Sequence, residues 1–318
     1  MRHVTKGRLF VLVKPCVVMI GAGKEIPMKK LYSNKPVILS LVLPGLLVFG
    51  FAILSPICLS VYYGFTDSTG MGEARLIGLR NYVDLFHDSV FGRSLKNSLF
   101  LAIGFICIQH PLAILVAAVL DKLQGKAEGI FRCIYFIPNV ISVAVIAYLW
   151  KFIYNPDFGL LNHVLQAFGY QGQINWLSQQ NAIWSVLIVL IWHGFGWGML
   201  IYYTGIKNID PIFYEAASID GASWWTTFIR VTVPLMKPVI QINVTMAVIS
   251  ALKQMETVYL LTNGGPNNST QFAANYLYQQ AFKAFKYGYG NAIGVVFIII
   301  CVLVTVGLNR IFREQQDV

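Results

Sequence analysis

The sequence predicts an all-α integral membrane protein with six transmembrane helices. Hydrophobic residues make up 56% of the 318 residues and charged residues only 12%, whereas a soluble domain carries about 25% charged residues. The mean hydropathy is +0.62. Six apolar stretches are each long enough to cross roughly 30 Å of hydrocarbon. None shows the alternating pattern of a β-barrel strand, so helices are expected to satisfy the backbone hydrogen bonds.

The loops between the apolar stretches differ in their basic content. The stretches cover residues 37–63, 97–120, 130–153, 183–205, 238–261 and 290–309. Sixteen of the 24 Lys and Arg residues lie in the N-terminal segment, the second and fourth loops and the C-terminal segment. Cytoplasmic loops hold such an excess, so both termini are predicted to be cytoplasmic. The basic residues are scattered singly, which favours membrane topology over a nucleic-acid partner as the origin of the +10 net charge.

The N-terminal segment is treated separately. Its apolar stretch LFVLVKPCVVMIGAG contains Lys14 and Pro15 and is too short to span a bilayer. Met28 begins a basic segment directly before the first span. We therefore expect residues 1–29 to be a cytoplasmic tail or an upstream extension, and residues 30–318 to be the transmembrane domain.

The fourth loop contains YEAASIDGASWWTTFIRVTVP, residues 214–234. The Asp-Pro pair at 210–211 is a helix-start signal, and the Asp-Gly pair at 220–221 favours a helix end because Gly tolerates left-handed backbone geometry. A second helix is expected from about Ser223, stopping before Pro234. The sequence thus predicts two short helices joined at an angle on the cytoplasmic side.

The chemistry of this segment alone leaves two interpretations open. Ala216 and Ala217 are small enough to let another protein pack closely, and Glu215 supplies a charge for pairing. Alternatively, the segment is an amphipathic linker in the membrane interface, with its Trp residues among the headgroups.

The spacing of this segment resembles the EAA loop of ABC-importer permeases. The motif is Glu-Ala-Ala, three residues, Gly, nine residues, an aliphatic residue, one residue, an aliphatic residue and Pro. Val replaces the usual Ile and Leu. The matching residues are Glu215, Ala216, Ala217, Gly221, Val231, Val233 and Pro234.

The resemblance extends over nearly all of residues 30–318, to the maltose-type carbohydrate-uptake permeases. It rests on GLRNYVDLF at 79–87, YFIPNVIS at 135–142, WHGFGWGMLIYYTGIKNI at 192–209 and LLTNGGPNNST at 260–270. It implies a type I ABC importer permease in a bacterial inner membrane, importing a carbohydrate such as an oligosaccharide. Segment 206–237 would then couple to an ATPase, with these residues in contact: Glu215, Ala216, Ala217, Asp220 and Gly221.

The resemblance also implies the partners. They are a homologous second permease, a dimer of cytoplasmic ATP-binding subunits and an external solute-binding protein. The chain has no GxxxxGK[ST] motif, so ATP and Mg²⁺ are expected in the ATPase and no cofactor in this chain. We expect no catalytic residue and no metal site.

Residues of the substrate path follow from the same resemblance. Sugar recognition needs aromatic faces together with amide or hydroxyl groups. The matching positions that carry such groups or leave space are Asn139, Gly194, Trp197, Ser250 and Gln254. Other matching positions are apolar here, namely Val143, Ala247 and Ala251.

Two ionisable residues inside the fifth span allow another interpretation. Lys253 and Glu256 are three residues apart, so on one helix face they could pair and face a cavity. Alternatively, Glu256, which is near the outer end of the span, reaches the membrane interface or pairs with a loop. An ion-coupled secondary transporter is therefore the alternative, although neither an inverted repeat nor a set of intramembrane acids is evident. A membrane-embedded enzyme would need a constellation of catalytic residues that the sequence does not present.

Overall fold

The protein is all-α, as the sequence predicts. The computed structural model describes residues 35–123 and 125–314, and no β-strand occurs within these residues. The expected N-terminal tail, residues 1–29, lies outside them. The chain forms two compact units, one up to Leu59 and the other from Ser60.

We number the helices of the described residues α1 to α13. Helices α1, α3, α7 and α13 are each long and apolar enough to cross a membrane, and the bent pairs α4–α5 and α9–α10 bring the number of candidate spans to six. The helices are α1 (Ile38–Gly64), α2 (Arg80–His87), α3 (Ser89–Lys122), α4 (Lys126–Val140), α5 (Val143–Ile153), α6 (Leu160–Ala167), α7 (Ala182–Lys207), α8 (Ile212–Ile219), α9 (Trp224–Leu235), α10 (Lys237–Leu252), α11 (Glu256–Leu261), α12 (Ala273–Tyr278) and α13 (Tyr287–Glu314).

The third predicted span, 130–153, is not a single straight helix. Ile141 and Ser142 have extended backbone angles, and α4 and α5 meet there at 96°. The sequence signal at this bend is Pro138, three residues before Ile141, because a proline kinks a helix and frees a carbonyl.

The fifth predicted span, 238–261, is also interrupted. Helix α10 ends at Leu252, and Lys253 to Met255 separate it from α11. The expectation that Lys253 and Glu256 share a helix face is therefore wrong. The two ion pairs found among the described residues join other side chains.

Widened π-helical turns accommodate three prolines. A proline ring clashes with the carbonyl four residues earlier in a regular helix, and a turn with one extra residue relieves that clash. Helix α9 therefore continues through Pro234 to Leu235. The expectation that this helix stops before Pro234 is wrong. The three turns are Gly50–Leu54 before Pro56, Phe105–Gln109 before Pro111 and Phe228–Thr232 before Pro234.

Small residues allow α7 to lie close to its neighbours. A Cβ atom on Gly196 would lie 2.2 Å from the carbonyl oxygen of Tyr135 in α4. Ala113 and Ala117 of α3 are fully buried in the same core as Met199 of α7. Close helix approach through small residues is the usual packing mode within a membrane.

Polar contacts hold the two ends of the bundle. Lys207 Nζ lies 2.8 Å from Asp121 Oδ1, which joins the C-terminal ends of α7 and α3 beside α8 and α9. We call this the α8–α9 end.

At the opposite end, one carboxylate joins three helices. Asp88 Oδ1 accepts hydrogen bonds from the first amides of α3, and Oδ2 accepts the hydroxyls of Tyr276 in α12 and Tyr289 in α13. Burial raises the pKa of Asp88, but the hydrogen bonds from both tyrosines and from the backbone amides of Phe91 and Val90 outweigh it. The resulting pKa lies below its ordinary value.

We predict that Asp88→Ala lowers the free energy of unfolding by about 2–4 kcal/mol, because a helix cap and the acceptor of two tyrosine hydroxyls are lost. The midpoint of thermal unfolding in detergent measures the effect. Asp84→Ala is the control, because the Asp84 side chain is exposed and makes no hydrogen bond with another described residue. Equal losses in both variants would contradict this role.

The same carboxylate predicts a pH dependence. A group whose pKa is depressed by folding stabilises the protein above its unfolded pKa, about 3.9 for Asp, and this contribution is lost as the pH falls through the lower folded value. The wild type is therefore expected to lose stability below about pH 4 more steeply than Asp88→Ala. Parallel pH profiles of the unfolding midpoint would exclude this linkage.

Candidate functional site

Helices α8 and α9 are joined by local hydrogen bonds that the sequence encodes. Asp210 Oδ1 accepts the Ile212 amide at 3.0 Å at the start of α8. At its end, Gly221 has φ +71°, the Ala222 amide donates to the Ala217 carbonyl at 2.9 Å, and the Gly221 amide donates to the Ser218 carbonyl at 3.1 Å. This pair of bonds is a Schellman motif. It fixes the direction in which the chain leaves α8.

Helix α9 starts with a side-chain cap. Ser223 Oγ accepts the Thr226 amide at 3.3 Å, and the rings of Trp224 and Phe228 stack one turn apart with centroids 5.4 Å apart. The second helix thus begins where the sequence predicts.

One face of α8 is exposed. Ile212, Glu215, Ala216 and Ile219 have the spacing of a single helix face, and all four are exposed, Ile219 at 86%. Ala217 is only 8% exposed. The expectation that the two alanines offer a joint outer surface is thus corrected, because only Ala216 points outward.

The buried face of α8 connects it to the bundle. Tyr214 Oη lies 3.3 Å from Thr232 Oγ1 of α9, and Lys122 Nζ of α3 lies 5.6 Å from the centre of the Tyr214 ring. Burial raises the pKa of the Tyr214 hydroxyl, so the hydroxyl keeps its proton. Sequence reasoning missed this residue. The available signal was its spacing of three residues from Ala217, which places both on one face.

Asp220 and Gly221 complete the α8–α9 segment, residues 210–235. Asp220 caps the C-terminus of α8, and its amide donates to the Ala216 carbonyl. A Cβ atom on Gly221 would meet no other atom within 4 Å. The glycine is therefore required by its backbone angle and not by crowding.

Both helix breaks within the predicted spans line one cavity. This His193 cavity, of about 300 Å³, is lined by Val143 at the start of α5, His193 of α7 and residues 253–257 between α10 and α11. Gln254 belongs to this lining, and Asn139 Nδ2 donates to the His193 carbonyl at 3.4 Å. Irregular backbone at membrane depth is tolerated where it lines a cavity.

A second cavity lies along α7 toward the α8–α9 end. This Trp197 cavity, of about 440 Å³, is lined by Phe136, Trp197, Leu200, Ile201, Thr204, Gly205, Asn208 and Val239. Trp197 is 55% exposed.

The remaining two predicted path residues lie elsewhere. Gly194 faces the interior, where an added Cβ atom would lie 3.4 Å from Gln109 Nε2 of α3. Ser250 is exposed on α10 and lines neither cavity. Of the predicted path residues, Gln254 thus lines the first cavity and Trp197 the second. Asn139 contacts the His193 carbonyl but lines neither cavity.

Comparisons with known proteins agree on one family. Residues 109–315 match the family described as the inner membrane component of binding-protein-dependent transport systems. A probable ABC transporter permease of Bacillus subtilis, YurN, is 37% identical over 275 residues, covering 85% of this chain and 94% of that protein. The lactose transport permease LacF of Rhizobium radiobacter is 30% identical, covering 86% of this chain and 93% of that protein.

The fold is also found in a solved structure. A bacterial alginate ABC transporter, in complex with a periplasmic protein that holds an alginate pentasaccharide, has a chain with a TM-score of 0.77 and 22% identity. The match covers 90% of this chain and 96% of that one. The type I importer fold that the resemblance implied is confirmed. The chain belongs to the family of inner membrane components of binding-protein-dependent transport systems, and it is a multi-pass transport component rather than an enzyme.

Proposed function

We propose that this chain is the permease subunit of an ATP-driven importer for an oligosaccharide, and that its α8–α9 segment docks on a cytoplasmic ATPase. The observation that carries the proposal is the geometry of that segment. The Schellman motif at Gly221 fixes α9 relative to α8, and the outer face of α8 has no partner within the described chain.

The chemistry of this face favours a protein partner. Fully burying a side chain such as Ile219 contributes about 1.5–3 kcal/mol, so docking gains free energy from an apolar group that is now 86% exposed. Glu215 lies between Ile212 and Ile219 on the same face. A carboxylate is costly to place in lipid, so this face fits a protein cleft with a cation better than the membrane interface.

The ATPase partner supplies the ATP-binding site that this chain lacks. The sequence has no phosphate-binding loop, so ATP and Mg²⁺ are held by a pair of ATP-binding subunits. Closure of that pair draws the α8–α9 segments of two permeases together. Because Tyr214 connects α8 to α9 and α3, the displacement reaches the spans as a shift of packed helices.

A carbohydrate fits the residues of the two cavities. The Gln254 amide in the His193 cavity can replace a hydrogen bond that a sugar makes with water, and Trp197 in the Trp197 cavity offers an aromatic face. Lactose is named for the LacF relative and alginate for the solved transporter. Both cavities are open in the single chain, so we infer that a homologous second permease completes the path and that an external binding protein delivers the sugar.

We predict that Glu215→Lys weakens copurification of the ATPase and abolishes sugar uptake, because the substitution reverses the charge at the centre of the docking face. Glu73→Lys is the matched control. Glu73 is exposed in the loop before α2, at the opposite end of the bundle, and its variant should retain the ATPase. Undiminished ATPase recovery with Glu215→Lys would refute the docking assignment, and uptake driven by an ion gradient without ATP would refute the importer.

Gly221 provides a second test of the segment. A non-glycine residue in left-handed geometry costs roughly 1–2 kcal/mol, with Asn tolerated best. We therefore predict that Gly221→Ala reduces sugar-stimulated ATP hydrolysis by the reconstituted complex more than Gly221→Asn does. The larger Asn side chain has no neighbour to clash with, so a greater loss with Asn would contradict a conformational role.

A further inference from the structure

Two of the widened turns, those of α3 and α9, lie against one cavity. This His110 cavity, of about 450 Å³, is lined by Ile106 and Pro111 on the α3 side and by Phe228 and Val233 on the α9 side. Side chains of α7, α10 and α13 complete its wall. Widened turns are frequent at functional sites, so a cavity that borders two of them is a candidate binding site.

The wall of the His110 cavity is almost entirely apolar. Among its described lining residues, only His110, Tyr202 and Trp225 carry a polar atom in the side chain. Trp225 is 56% exposed, whereas His110 is 4% and Tyr202 0% exposed. An apolar cavity with a small number of polar groups is the usual form of a site for a small molecule.

The hydrogen bond between His110 and Tyr202 determines which nitrogen of His110 carries the hydrogen. Tyr202 Oη lies 2.6 Å from His110 Nδ1. No other acceptor for the Tyr202 hydroxyl occurs among the described residues, so this hydroxyl donates to Nδ1. A charged ring is costly at membrane depth, and a neutral ring that accepts at Nδ1 has its hydrogen on Nε2.

The Nε2–H group of His110 is a donor that lacks an acceptor. Nε2 is buried and has no hydrogen-bond partner within residues 35–123 and 125–314. A buried donor without a partner is costly, and a lipid chain cannot supply an acceptor. The cavity therefore favours an occupant that brings an acceptor over one that is purely apolar.

We propose that the His110 cavity binds a neutral, mainly apolar small molecule that carries one hydrogen-bond acceptor. The acceptor bonds to His110 Nε2, and the apolar part packs between α3, α9, α10 and α13. A charged molecule does not fit, because no Asp, Glu, Lys or Arg is found among the described residues that line the cavity. The bound molecule contacts α9, the second helix of the α8–α9 segment.

Benzophenone is a suitable probe, because its carbonyl oxygen is an acceptor and irradiation attaches its carbonyl carbon to a nearby C–H group. The full-length chain is irradiated with benzophenone in native membranes, and the labelled peptides are identified by mass spectrometry. We expect saturable labelling of residues 106–115 in α3 and of residues 225–233 in α9. Absence of saturable labelling from both segments would overturn the site.

Two competitors of similar shape test the hydrogen bond in the wild type. Diphenyl sulfoxide has an acceptor oxygen between its rings, and diphenylmethane has none. With concentrations compared in the membrane phase, the sulfoxide should displace the label at about one-tenth of the concentration that diphenylmethane requires, as expected for one hydrogen bond to a buried donor. Equal potency would mean that the cavity takes any apolar filler, such as a lipid chain, and would overturn the proposal.

Two variants test the assignment to His110. His110→Phe keeps a ring but removes the donor, so the preference for the sulfoxide should disappear. Tyr202→Phe is the matched control, because it removes a hydroxyl from the same cavity and leaves the His110 donor, so the preference should remain. A preference that persists in His110→Phe would refute the role of His110. If a variant does not fold, the wild-type comparison decides, and none of these measurements depends on the proposed transport function.

Discussion

The structure depends on satisfying backbone hydrogen bonds in a medium without water. Within hydrocarbon each amide and carbonyl needs a partner in the protein, which makes continuous helices the default. The chain departs from that default at Ile141–Ser142 and at Lys253–Met255, and both breaks border the His193 cavity. Where the chain has a proline but no break, at Pro111, a widened turn keeps the helix intact. The interruptions at Ile141–Ser142 and Lys253–Met255 therefore occur where polar groups have a cavity to face.

In the proposed importer, the α8–α9 segment transmits force from the ATPase to the spans. A flexible connection between α7 and α10 could not transmit force. Here the left-handed Gly221 and the caps at Asp210 and Ser223 fix the backbone. Tyr214 connects α8 to α9 and to α3. A force applied to the outer face of α8 then acts on helix ends. The Lys207–Asp121 pair joins two of those ends, and we propose that it helps to pass movement of the segment to the spans.

The length of the apolar runs and the residues that start and end helices made much of this fold predictable from sequence. The long helices α3, α7 and α13 follow from apolar length, and the ends of α8 follow from the helix-start and glycine signals. Pro138 and Lys253 mark the positions of the bend after Val140 and of the end of α10. The bend angle and the interruption themselves were not predictable, because a proline or a polar residue in a span does not specify whether the helix continues. The same limit applies to the site. The Tyr214–Thr232 contact joins residues 18 positions apart, and no local pattern specifies it.

The central claim is that the outer face of α8 docks on a nucleotide-binding subunit. The most direct test is to replace Ile219, at the tip of that face, with a photo-crosslinking amino acid and to irradiate intact membranes that contain the whole transporter. The account predicts a covalent product with the ATPase. A product only with lipid, or with a protein on the external side, would contradict it.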